Sequence, residues 1–206
     1  MTDGSHDLHG SAPDASPVAL LLIDVINDLE FPGAEELLGP AVEAATAIRA
    51  LSERARAAGI PVIYANDNFG RWRSDFRQLI DHVRHDGCRG KPLADLLAPH
   101  DEDYFVLKPK HSAFYATTLD TLLQYLGAKH LIITGLTTDM CVLFTASDAF
   151  MRDFRVHIPP DCVAEIPQDD NAKVLDYMAR VLDADLTPST GLDLEALLSE
   201  DREERP

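Results

Sequence analysis

The sequence predicts a three-layer α/β/α sandwich around a mostly parallel sheet of five to six strands, and three observations carry the prediction. Short apolar runs of strand length alternate with longer stretches of helical periodicity along most of the chain. The runs at 18–24 (VALLLID), 60–65 (IPVIYA) and 130–134 (HLIIT) are apolar almost throughout rather than alternating, the pattern of strands covered on both faces. The helical stretches between strands return the chain for parallel pairing through right-handed crossovers. With 206 residues, 46% of them hydrophobic, the chain has material for one sizeable core. No internal repeat or interior linker divides it, so 17–191 reads as a single domain.

The first strand, 18–24, ends in the carboxylate of Asp24. Between 34 and 58, Leu37, Leu38, Val42, Ala45, Ile48, Leu51 and Ala55 recur at helical spacing, and Gly59 supplies the stop. The second strand, 60–65, carries its proline at the entry, where a missing N–H is tolerated. Residues 66–90 mix charged, aromatic and glycine residues and read as a long loop with a short helix near 76–83. Tyr104–Lys108 is the third strand, and a helix over 118–126 is capped by Thr117 or Thr118 and closed by Gly127. The fourth strand, 130–134, leads through Gly135 into a helix over about 139–152. A fifth strand at 154–158, a helix at 169–182 and a short edge strand at 184–188 complete the order.

The formal net charge of −17 is spread unevenly. Residues 1–16 hold three aspartates and no Lys or Arg, and 192–206 hold six acids against two arginines. Both ends read as polar, acidic, flexible tails. The remainder is still acidic, which excludes nucleic acid and anionic membranes as principal partners because each needs a basic face. No apolar run approaches the ~20 residues of a membrane span, and the polar start is not signal-like. The three cysteines, Cys88, Cys141 and Cys162, form no CxxC pair, so no disulfide framework or zinc finger is implied and the expected compartment is the cytoplasm.

In open parallel sheets, ligands bind beyond the carboxyl ends of the strands. Those ends carry Asp24, then Asn66, Asp67 and Asn68, then Lys108, then Gly135 and a turn into the helix bearing Cys141. Near a helix start, backbone N–H groups and the dipole favour a thiolate, Lys108 would favour it further, and Asp24 is placed to take the proton. These are the parts of a covalent-nucleophile site. The same residues also admit a plainer reading as a buried structural cysteine, an ordinary strand-end acid and a solvated lysine.

The segments LLLIDVINDLEFPGA, VLKPKHSAFYATTLDTLL and LIITGLTTDMCVLFTASDAFMRDFRVHIPPDCVA resemble, in order and spacing, the isochorismatase-like cysteine hydrolases, over about 18–164. That family includes nicotinamidases, N-carbamoylsarcosine amidase and ureidoacrylate amidohydrolase. The resemblance implies the isochorismatase-like hydrolase fold and a catalytic triad of Asp24, Lys108 and Cys141. It also implies a non-proline cis peptide at Leu136–Thr137 and an oxyanion hole made by the backbone N–H groups of Thr137 and Cys141. The implied reaction cleaves the C–N bond of a small amide, ureido or carbamoyl compound through a Cys141 thioester, with Asp24 moving the proton. A small-molecule substrate, no cofactor and a homodimer or homotetramer are implied with it.

Two departures from the family pattern bear on the pocket. The first motif commonly reads Asp-x-Gln-x-Asp-Phe; here it is Asp24-Val25-Ile26-Asn27-Asp28-Leu29, so Ile26 and Leu29 are expected to make that wall more apolar. Nicotinamidases carry Asp-x-His after the second strand, whereas this chain has Asp67-Asn68-Phe69. The nearest histidines, His82 and His85, are spaced for a helix face, and no catalytic metal is expected. Candidate substrate contacts are Phe31, Asn66, Asp67, Trp72, Phe114 and Leu136, with Tyr115 the alternative to Phe114. Trp72 with Arg71 or Arg73 would meet a flat or carboxylated substrate, or else the 71–77 stretch is a subunit contact or an exposed loop. Cys88 reads as a spectator thiol and Cys162 as structural.

Two rival functions remain. An isochorismate-type vinyl-ether hydrolase would use the acid and the lysine without needing the thiol, and a catalytically idle member would serve as a binding or scaffold subunit. The joint presence of Asp24, Lys108 and Cys141 speaks for amide chemistry over both. A dinucleotide enzyme finds no support, because no GxGxxG follows the first strand and no Walker A motif occurs.

Overall fold

A computed structural model of the chain describes residues 15–67, 76–85 and 87–203. In chain order the elements are β1 (Val18–Ile23), α1 (Ala34–Ala57), β2 (Val62–Asp67), α2 (Phe76–Val83), α3 (Lys91–Leu96), β3 (Tyr104–Lys108), α4 (Leu119–Leu126) and β4 (His130–Leu136). A single π turn, Thr138–Val142, leads into α5 (Leu143–Phe150), followed by β5 (Arg155–His157), β6 (Val163–Ala164), α6 (Gln168–Leu182) and α7 (Leu194–Glu203). The strands form one parallel sheet in the order β3-β2-β1-β4-β5, with β6 pairing the carboxyl end of β4.

The strict alternation of strand side chains sorts the central strand into two cores. Val18, Leu20 and Leu22 of β1 pack with Leu37, Ile48, Leu51 and Ala55 of α1. Ala19, Leu21 and Ile23 pack on the opposite face with Leu119 and Leu123 of α4, Ala146 and Ala149 of α5, and Met178 of α6. Every residue of β1 and β4 is buried, which is why those runs are apolar without alternation. Each fully buried Leu or Ile contributes about 1.5–3 kcal/mol, so the two layers together fix the sheet edge on which the chemistry sits.

Gly135 has a backbone role near that edge. Its φ is +116°, and a Cβ there would stand 2.0 Å from the carbonyl oxygen of Ile23. Only glycine lets β4 pass so close to the point where β1 ends and Asp24 leaves the sheet.

Several elements differ from the sequence expectation. The second strand is displaced by two residues, so Asn66 and Asp67 are ladder positions opposite Leu107 and Lys108 rather than loop residues. The helix α3, unanticipated, buries Leu93 and Ala94 behind Gly90, whose close approach to the Asn27 carbonyl leaves no space for a side chain. The expected helix over 139–152 divides into the π turn and α5. The segment 184–188 is not a strand: a lone bridge joins Asp185 to His157, and the sixth strand is Val163–Ala164 instead. Because β5 ends at His157, the last residues of β4, Gly135 and Leu136, are left to pair with Val163 and Ala164.

The acidic segment from 192 is ordered as well. Leu192, Leu194 and Leu197 are buried in the α1-side core, and the Arg54 guanidinium donates to the carbonyls of Ser189 and Leu192 at 2.7 Å each. Leu194 and Leu197, three apart on α7, turn inward with Leu192 just before the helix, while Asp193 and Glu195 stay exposed. Among the described residues, no helix is long and apolar enough to cross a membrane.

Candidate active site

β1 ends at Ile23, and Asp24 follows in the left-handed region, with φ 51°. This turn drops the carboxylate beneath the strand ends instead of into solvent. Its Oδ1 accepts the backbone N–H of Asp67 at 2.7 Å, and its Oδ2 lies 2.7 Å from Nζ of Lys108, the last residue of β3. Both side chains are buried. Lys108 Nζ also donates to the Lys110 carbonyl at 3.2 Å and reaches the Cys141 Sγ at 3.5 Å. Three separate strand ends and the π turn thus bring a carboxylate, an ammonium and a thiol together.

On its outer side Cys141 faces a cavity of about 350 Å³. Leu29, Phe31, Leu37, Leu136 and Met140 make its apolar wall, while Asn27, Asp67, His111 and Thr137 supply polar groups. The His111 Nδ1 lies 3.7 Å from the Cys141 Sγ, and its ring stacks on Phe144 at 5.8 Å. The Leu136–Thr137 peptide at the cavity edge is cis.

Burial raises the Asp24 carboxyl above the ordinary carboxylate range, while Lys108 and the hydrogen bonds from Cys141 and Asp67 oppose it. Burial also works against the Lys108 ammonium, but Asp24, Cys141 and Asp67 together hold its pKa above the ordinary lysine value, so it stays charged. Burial, with the Asp24 carboxylate beside it, pushes the Cys141 thiol well up, with Lys108 opposing. At rest Cys141 is therefore a thiol, not the thiolate its place near a helix start suggests. Burial is the larger cause, and Lys108, the opposing charge, sits closer to Asp24 than to the sulfur.

The sequence-derived candidates divide on this geometry. Asp24, Lys108 and Cys141 converge, and Phe31, Asp67, Leu136 and Thr137 line the cavity. Asn66 does not: it is fully buried and donates through Nδ2 to the Ile26 carbonyl at 2.9 Å, tying β2 to the loop after β1. Phe114 does not either. It lies in the second core layer 6.0 Å from Phe154, with the Arg152 guanidinium 4.8 Å from its ring. Ile26, expected with Leu29 as a pocket wall, is buried in the α1-side core, and Leu29 alone of the two faces the cavity. Trp72, Arg71 and Arg73 lie outside the described residues.

Sequence reasoning assigned no role to His111, Asn27, Leu37 or Met140. His111 carried a usable signal, since it stands three residues past the strand-end lysine in KPKHSAF. His82 pairs with Asp28, Nε2 to Oδ2 at 3.3 Å, rather than with Asp67. Among the described residues, no group of three or more His, Cys, Asp or Glu is placed to hold a metal ion.

Residues 18–187 match the family profile of the isochorismatase domain. An isochorismatase family protein of Bacillus subtilis (strain 168), YaaI, is 43% identical over 169 residues, covering 82% of this chain and 92% of that protein. The isochorismatase of the same organism is 32% identical over 174 residues; the match covers 81% of this chain and only 54% of the relative, so the chain spans about half of it. The crystal structure of N-carbamoylsarcosine amidase from Thermoplasma acidophilum superposes with a TM-score of 0.62 at 29% identity, over 85% of this chain and 98% of that one.

Proposed function

The chain belongs to the isochorismatase family of hydrolases, and from that premise we propose that it is a metal-independent cysteine amidohydrolase acting on the C–N bond of a small amide, ureido or carbamoyl compound. The observation that carries the reading is the buried Asp24–Lys108 pair in contact with the Cys141 thiol at the floor of a small cavity.

The mechanism follows from where the protons sit. Asp24, its basicity increased by burial, takes the thiol proton as the sulfur attacks the substrate carbonyl. The Lys108 ammonium, fixed at 3.5 Å from the sulfur, stabilises the developing thiolate. Negative charge on the carbonyl oxygen is met by the Thr137 and Cys141 N–H groups. Protonated Asp24 returns its proton to the departing nitrogen, the C–N bond breaks, and a thioester remains on Cys141. Water adds to that thioester, Asp24 accepts its proton, and the carboxylic acid and free thiol are released.

The cavity also bears on substrate class. Its volume suits a small molecule, its apolar wall suits a short aliphatic or aromatic acyl group, and among the described residues no Lys or Arg side chain lines it. The carboxylates of Asp24 and Asp67, with a net charge of −17 behind them, disfavour an anionic substrate. An uncharged amide fits best.

Ammonia release from a panel of small primary amides, ureides and carbamoyl compounds tests the reading. Cys141→Ala is expected to lower turnover of any responding compound by at least about 10³-fold with the fold intact. A C141A protein that retains near-wild-type turnover would falsify the assignment. The similarity to isochorismatase favours a vinyl-ether hydrolase as the second reading, and that activity would survive the same substitution.

A further inference from the structure

Glu165, just past β6, is a buried carboxylate that the proposed mechanism does not use. Its Oε2 accepts the backbone N–H of Asp139 at 2.9 Å, and its Oε1 accepts the N–H of Ile166 at 2.8 Å. Asp139 lies within the π turn that carries Cys141. The Asp139 carboxyl in turn accepts the Thr137 hydroxyl at 3.0 Å, and the Thr137 carbonyl receives the N–H groups of Met140 and Val142 on either side of Cys141. A short chain of hydrogen bonds thus runs from β6 through Glu165 and Asp139 to Thr137, and it brackets the nucleophile. The neighbouring ladder pairs, Gly135 with Val163 and Leu136 with Ala164, hold β6 directly against the strand that feeds this turn.

From this geometry we infer that Glu165 is a positioning residue: it clamps the 137–141 turn so that the Thr137 and Cys141 N–H groups face the oxyanion. The inference rests on the thiol-hydrolase reading above. Its two oxygens receive the two N–H groups separately, one each. A glutamine offers one oxygen and turns its NH2 toward the other donor. Burial and the adjoining Asp139 carboxyl push Glu165 up to about 7, so the fold holds this carboxyl at a cost that a merely space-filling residue would not carry.

The test separates oxyanion stabilisation from delivery of the nucleophile. Acylation of Cys141 by p-nitrophenyl acetate passes through a tetrahedral oxyanion; alkylation by iodoacetamide uses the same sulfur and the same proton transfer but forms none. Both are followed by peptide mass spectrometry, with Cys141→Ala as the blank. Glu165→Gln is expected to slow acylation about 10-fold, and Glu165→Ala about 10- to 100-fold, with alkylation within about 2-fold of wild type. Thr137→Val cuts the same chain at a partly exposed side chain and guards against a Glu165 variant that fails to fold; it is expected to slow acylation selectively by about 3-fold or more. Equal loss of both reactions, or no loss of acylation in variants that retain the wild-type unfolding transition, overturns the inference alone. A wild-type protein whose Cys141 reacts with neither probe overturns the thiol-hydrolase reading, and this inference with it.

Discussion

Among the described residues, two ion pairs include a buried carboxylate, and their surroundings differ. Arg56 donates Nε and Nη2 to the two oxygens of Asp103 at 3.0 and 2.7 Å, and the His100 N–H also reaches Asp103 at 2.7 Å. Every partner there is held in fixed geometry, and a guanidinium does not release its proton near neutral pH. This pair joins α1 to the entry of β3. Asp24 and Lys108 are paired as closely, at 2.7 Å, but the cation is a single-point ammonium and the third partner is a thiol whose proton can move. On the reading proposed above, what separates a clamp from a catalyst in the same sheet is a partner able to change protonation state, placed against a cavity.

Exchanging the features of the two pairs probes that contrast. The largest effect is expected from Asp24→Asn. It removes the base, lowers turnover by about 10³-fold or more, and leaves the Lys108 ammonium buried without its counter-charge, costing about 3–5 kcal/mol in chemical unfolding. Lys108→Arg preserves charge but not shape in a fully buried slot, and is expected to lose at least about 10²-fold in turnover. Gly135→Ala brings a methyl against the Ile23 carbonyl beside Asp24; a loss of more than about 2 kcal/mol in denaturant titration, accompanied by reduced turnover, is expected. Asp103→Asn weakens the structural pair, whose arginine is partly solvated, and is expected to cost about 1–3 kcal/mol while leaving turnover per folded molecule unchanged.

The last effect concerns pH. The Glu165 carboxyl rises from the ordinary 4.5 to about 7 in the fold, beside Asp139. Between those values the folded chain keeps a proton that the unfolded chain has released. The group's contribution to stability is thus fully present below 4.5 and declines as pH rises to about 7. Glu165→Gln is expected to flatten the stability–pH curve in that window by up to about 1.4 kcal/mol per pH unit. A slope identical to wild type would remove this carboxyl from the account.

Much of the fold was readable because burial on both faces leaves a plain mark: VALLLID and HLIIT admit few other readings, and Asp24, Lys108 and Cys141 each follow from where such a strand stops. The missing parts share a cause as well. β6 has two residues and the π turn five, both below the length at which periodicity declares itself. Phe114, in the SAFY segment six residues past the strand-end lysine, was a candidate pocket wall. The Ala113 N–H bond to the Thr145 hydroxyl, at 3.0 Å, belongs to a turn that sends the ring inward, and α5 supplies that partner from 32 residues away. In the 192–206 segment, summed charge concealed Leu192 and, three apart on a helix, Leu194 and Leu197. The raised pKa of Cys141 comes first from burial and then from the Asp24 carboxylate beside it, with Lys108 opposing, and none of these is encoded in spacing.

The central claim is that Cys141 rests as a thiol and becomes a nucleophile only when Asp24 takes its proton. Acid-quenched mass spectrometry of protein mixed briefly with p-nitrophenyl acetate tests it most directly. The account expects one acetyl group on the Cys141 peptide of the wild-type chain, and its loss in Asp24→Asn protein that still folds. Acetylation elsewhere, or at Cys141 with an undiminished rate in D24N, would contradict it.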